Sequence, residues 1–235
     1  MKSPLFVEFY GLPGCGKSTV SHQVAVKLRA DGYIVDEPSY DIDRKNSPLV
    51  RKLNKLIIFF SCFVFHNKTF REVKTIVKKN GYFGTSLIKQ ASNVLQKISV
   101  YRDEGYRNIV IWDQGLVQAS ISLSLKGKIN ASDNLKNLLH ILDTEVQVWI
   151  VNIWVDEKVA FERMAQRPTN DSRVEKNKDD DQKHEMMSRF QYEIDTIKDG
   201  YGGIVIDGTI DLKKQVEQLT GVFTNVDGTR FFNNK

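Results

Sequence analysis

Cysteine is scarce in this chain: only Cys15 and Cys62 occur among 235 residues. Two isolated thiols exclude a disulfide framework and a paired-cysteine metal site, and they point to a reducing cytoplasm. Long apolar runs are also lacking. The most hydrophobic stretch, Leu56-Ile57-Ile58-Phe59-Phe60-Ser61-Cys62-Phe63-Val64-Phe65, is shorter than the about 20 residues that cross a bilayer. It reads as a buried helix, one that could serve a homodimer interface as readily as a core, and no membrane partner is expected. Met1-Lys2-Ser3-Pro4 runs straight into a strand-like segment, without the charged, apolar and cleavable regions of a secretion signal. Basic residues exceed acidic ones by 34 to 29, giving a net charge of +5. They form no basic block, so the excess favours small anionic ligands and a nucleic-acid partner is not expected. Repeats and low-complexity segments are missing as well.

What is present is the composition of a globular domain, 41% hydrophobic and 27% charged, enough to bury a full core without covalent staples. Short apolar runs alternate with longer amphipathic stretches. Strands are expected at Leu5–Tyr10, Tyr33–Val35, Asn108–Trp112, Gln147–Val155 and Gly203–Ile206. Helices are expected at Lys17–Ala30, from Ser47-Pro48 to about Phe65, near 69–80, 84–104, 115–126 and 132–143, after Asp156, and from Asp211 to Leu219. Strands alternating with helices imply parallel pairing through crossovers, and continuous apolar runs imply strands covered on both faces. The expected fold is α/β, a doubly wound parallel five-stranded sheet with helices on both faces. Ligands in such a fold bind beyond the C-terminal ends of the strands.

The first strand ends in Gly11-Leu12-Pro13-Gly14-Cys15-Gly16-Lys17-Ser18. This is G-x-x-x-x-G-K-S between an apolar strand and an amphipathic helix, the context in which a phosphate loop works. Gly11, Gly14 and Gly16 let the backbone curl until its N–H groups point at phosphate oxygens, with Pro13 and Cys15 contributing main chain only. Lys17 is placed to reach the β- and γ-phosphates of ATP, Ser18 to bind Mg²⁺, and Thr19 to assist through its hydroxyl.

Other strands end in acid. Asp113 closes the third strand, where Mg²⁺ or its water shell is held in P-loop enzymes. Asp36 and Glu37 follow the second strand, and either could hydrogen-bond an acceptor or take its proton. Asp156 reads as a helix N-cap. Arg163 and Arg167 lie four apart on a helix that Pro168 ends, and the polar run Thr169–Asp181 follows. Arginines on such a segment can close over transferring phosphates as a lid. His22, His66, His140 and His184 read as surface or packing residues.

Taken in order, these residues resemble the P-loop nucleoside and nucleotide kinases, nearest to the thymidylate kinase group. The likeness runs over most of residues 5–220: Gly11 to Ser18, Glu37-Pro38, Asp113, the arginines at 163, 167 and 173, and Asp207-Gly208-Thr209, which in that family borders the adenine. It departs at Gln114, where thymidylate kinases carry an arginine that handles phosphates; deoxynucleoside kinases end this strand in Glu-Arg. The resemblance implies one kinase domain over 1–222 with a lid at about 161–184, followed by a tail at 223–235. It also implies that ATP and Mg²⁺ are used to phosphorylate a nucleotide, a nucleoside or another small hydroxyl compound. A regulatory P-loop ATPase without a small-molecule acceptor is the alternative.

Overall fold

The computed structural model describes residues 5–40, 66–102, 109–142, 147–166, 174 and 179–224. The expected helix at 47–65 and the residues Arg167, Pro168 and Arg173 lie outside the described residues. The strands are β1 (Leu5–Tyr10), β2 (Val35–Asp36), β3 (Ile109–Trp112), β4 (Gln147–Trp154) and β5 (Ile204–Asp207). They form one sheet in the order β2-β3-β1-β4-β5, with all pairings parallel. The described helices are α1 (Lys17–Ala30), α2 (Asn67–Lys79), α3 (Gly84–Tyr101), α4 (Leu116–Ser124), α5 (Ala131–Leu142), α6 (Glu157–Ala165), α7 (Asp180–Tyr201) and α8 (Leu212–Thr224).

Strand β1 lies at the centre, and Phe6, Val7, Glu8, Phe9 and Tyr10 are all fully buried. Its register pairs Leu5 with both Ile109 and Gln147, so the C-terminal ends of β1, β3 and β4 come together on one side of the sheet. Helices α1 and α8 pack against each other, while α3, α4, α5 and α7 form a second packed group. Phe6 and Tyr101 pack with ring centres 4.4 Å apart and planes tilted by 34°, joining β1 to α3. Burial of the apolar runs on both faces gives these strands their continuous hydrophobic character.

Strand β2 begins at Val35 rather than Tyr33. The amide of Tyr33 donates to Leu28 O and that of Gly32 to Arg29 O, so this stretch finishes α1 instead of pairing. Helix α6 ends at Ala165, short of the expected stop at Pro168. Asp156 caps it as expected, accepting from Lys158 N at 2.8 Å. Helix α8 continues to Thr224, beyond the expected end at Leu219, and Phe223 is buried against Trp149.

Helix α7 was not foreseen. Asp179, Asp180 and Asp181 read as the end of a polar loop, yet Asp179 is the N-cap and accepts from Asp181 N. Asp180 and Asp181 occupy the positive first turn. Met187, Phe190, Ile194 and Ile197 then bury one helical stripe.

Candidate active site

The loop between β1 and α1 forms the curled shape that its glycines allow. Gly11, Gly14 and Gly16 have φ of 152°, 88° and 94°, all on the side that L side chains rarely adopt. At Gly14 the space is closed as well: a Cβ would stand 2.3 Å from the Ala160 carbonyl oxygen. Gly14→Ala is therefore expected to displace the loop and weaken ATP binding about 10- to 100-fold, a cost of about 1–3 kcal/mol for a strained conformation. Calorimetric titration with ATP checks this, and wild-type affinity in the variant would contradict it. The Cys15 side chain is buried; its amide donates to Leu12 O and its carbonyl accepts from Arg163.

Lys17 Nζ lies 3.3 Å from Leu12 O, over the loop it belongs to. Ser18 Oγ donates to Asp113 Oδ2 at 2.5 Å, across 95 residues of sequence. Parallel pairing of β1 with β3 brings these two strand ends side by side. A hydroxyl and a carboxylate oxygen in contact beside a phosphate loop are the hard oxygen donors that suit Mg²⁺, which usually takes one or two carboxylates and leaves its remaining positions to phosphates and water.

A cleft of about 410 Å³ opens beside this pair, lined in part by Ser18, Thr19, His22, Glu37, Tyr40 and Asp113. Glu37 lines it, whereas Asp36 pairs with Val110 inside the sheet. Glu37 is 4% exposed, and Arg29 and His22 hold it. Arg29 Nη1 donates to its Oε2 at 2.6 Å, and His22 Nδ1 lies 3.0 Å from its Oε1. Arg29 also donates to Val35 O, so it fixes the loop and its carboxylate together. His22 stacks on Tyr40 at 3.8 Å. The sequence offered no motif for His22; its contact with Glu37 arises from packing across the turn into β2.

Arg163 donates to Cys15 O at 3.0 Å and to Gly208 O at 2.8 Å. It thereby ties the phosphate loop to the turn after β5. There Asp207 Oδ1 accepts from the Thr209 amide and hydroxyl, and these bonds lower its pKa. Within the expected lid, residues 161–165 belong to α6, whose Ala160 and Met164 pack against the phosphate loop. Residues 180–184 begin α7. His184 contacts Glu157 at 2.7 Å and meets the Phe161 ring edge-on.

One further group escaped the sequence reading. Glu8, in the middle of β1, is 0% exposed. Its Oε1 accepts from Leu116 N at 2.7 Å and from the Tyr101 hydroxyl, and its Oε2 accepts from Val117 N at 2.8 Å. A single acid inside an apolar strand was the available signal. Burial raises its pKa above the ordinary 4.5, opposed by Tyr101, the two amides and the Lys97 charge. Between 4.5 and that raised value the folded chain keeps a proton that the unfolded chain has lost. This contribution to stability is complete below pH 4.5 and is lost as pH rises through the raised value. Glu8→Gln is expected to flatten that part of the stability profile. Urea unfolding from pH 4.5 to 8 tests this, and a slope unchanged in the variant would contradict it.

The sequence model of the AAA domain family matches residues 6–192. The chain belongs to that family. No curated protein matches it. Among solved structures it is similar to deoxyadenosine kinase from M. mycoides with products dCMP and a flexible dCDP bound. That match has 15% identity and a TM-score of 0.55, and covers 94% of this chain and 100% of the other. The same enzyme with dATP bound matches at 16% identity and TM-score 0.54, over 93% and 99% of the two chains. With dCTP bound it matches at 16% and 0.52, over 94% and 100%. The likeness is one of fold: a parallel five-stranded sheet with surrounding helices, as in P-loop nucleotide kinases. No helix among the described residues is long and apolar enough to cross a membrane.

Proposed function

We propose that this protein transfers the γ-phosphoryl group of Mg·ATP to the hydroxyl of a small molecule bound in the cleft beside Ser18 and Asp113. The observation that carries this reading is the 2.5 Å contact between Ser18 and Asp113 at the wall of a cleft that Glu37 and His22 also line. Donor and acceptor groups then face one volume. The solved structures described above are of a deoxyadenosine kinase, which supports an acceptor of the nucleotide or nucleoside class.

In this reading the backbone amides of Gly11 to Ser18 hold the phosphates and Lys17 neutralises charge on the transferring group. Ser18 and Asp113 would hold Mg²⁺, which supplies further charge neutralisation when bound. The Glu37–His22 pair orients the acceptor hydroxyl and receives its proton. Arg163 fixes the phosphate loop against Gly208, beside which the adenine would lie; Arg167 would add charge over the phosphates. Cytoplasmic location and a homodimer belong to the same proposal.

The test is ADP release from Mg·ATP against nucleosides, nucleoside monophosphates and small alcohols. One acceptor class should stimulate release. Tight ATP binding with a rate that no acceptor changes would favour the regulatory ATPase instead.

A further inference from the structure

Glu8 is fully buried, yet the roles above leave it unused. It sits on β1 three residues before Gly11, in register with Trp112, which directly precedes Asp113. Its carboxyl reaches the first two amides of α4, Leu116 and Val117. The residue at the cap position of α4 is Gly115, which has no side chain to satisfy those donors. The cap is supplied instead by the neighbouring strand. Space confirms the fit: a Cβ on Gly115 would stand 2.1 Å from the Glu8 carboxyl carbon, so only glycine admits the carboxylate there.

We propose that Glu8 is a positioning residue that clamps the turn Asp113-Gln114-Gly115 to β1 and so holds Asp113 against Ser18. The proposal rests on the reading of Ser18 and Asp113 as the pair that holds the metal. These two residues belong to different strand–helix units. Ser18 follows β1 through the phosphate loop, and Asp113 follows β3. The short path from Glu8 through Leu116 back to Asp113 ties the second unit to the first, three residues from the carboxylate it positions. The Tyr101 hydroxyl holds Glu8 Oε1 from the α3 side, which leaves the carboxyl little freedom to swing.

The test compares ADP affinity with and without Mn²⁺ by calorimetry. In the wild type, Mn²⁺ should tighten ADP binding. In Glu8→Gln, whose amide group presents an N–H toward a backbone N–H, metal-free ADP affinity should stay within about 2-fold while the Mn²⁺-dependent tightening falls about 10-fold. Gly115→Ala should lose the same tightening from the opposite side of the contact, even if Glu8→Gln folds poorly. Added to Asp113→Asn, Glu8→Gln should cause no further loss, since both act through one carboxylate. Full tightening in folded Glu8→Gln and Gly115→Ala overturns the proposal. So does an equal loss of metal-free binding, which would mark Glu8 as a general stabiliser of the sheet. Absence of any Mn²⁺ effect in the wild type overturns the metal reading itself, a separate and recognisable result.

Discussion

Replacing Lys17 by alanine is expected to lower ATP-dependent phosphoryl transfer by about 100- to 1,000-fold. Phosphoryl transfer gives a protein little covalent chemistry to perform, so charge neutralisation carries most of the catalysis. Removing one well-placed electrostatic group from such a site commonly costs about 100- to 1,000-fold. Lys17 is the first residue of α1, with its ammonium folded over the phosphate loop. Its side chain is half-exposed and supports no core packing, so the variant should melt within a few degrees of the wild type. Initial rates of ADP formation, measured with the acceptor found by the panel, decide the matter. A variant that retains a tenth of wild-type turnover would remove Lys17 from the catalytic site.

Glu37→Gln is expected to lower acceptor-dependent turnover by about 100- to 10,000-fold, the range associated with a positioned proton acceptor. Glutamine keeps the shape but removes the charge. Arg29 would lose its anionic partner, yet its side chain is 41% exposed and can take up water, so the fold should survive. ATP affinity should remain near the wild-type value, because Glu37 follows β2 and is held by Arg29 and His22 rather than belonging to the phosphate loop. The decisive pattern is a fall in kcat with little change in ATP binding. If turnover is unaffected while the acceptor KM rises, Glu37 binds the acceptor without taking its proton.

The phosphate loop was legible because local sequence determines it: an apolar strand, glycines at fixed spacing and a helix start. Asp113 was legible because an acid ends an apolar run. The pairing of Asp113 with Ser18, however, depends on strand order, which no local pattern contains. Strand β2 shifted because the end of α1 took the Tyr33 amide for its own hydrogen bond. Helix α7 was hidden because its three opening aspartates have loop composition, though they suit a helix N-terminus. Glu8 and His22 were missed for one shared reason. Each takes its meaning from a partner on another element: the α4 amides for Glu8, and Glu37 for His22. Arg163 was expected over the phosphates, and its two bonds to Cys15 and Gly208 became visible only with β1 and β5 in place.

Ser18 and His22 stand on the same helix, four residues apart. Such a separation amounts to about 6 Å along the axis and a little over one turn. In the proposed function, the donor side and the acceptor side of the cleft are therefore graduations on a single stiff ruler, not groups brought together by a hinge. Under the proposed function, the gap that the phosphoryl group would cross is metered by helix pitch. Changes in the loops around the cleft can alter which molecule is admitted while leaving that gap unchanged. An inserted residue between Ser18 and His22 would rotate His22 by about 100° off the cleft, and no adjustment of the surrounding loops could restore the alignment.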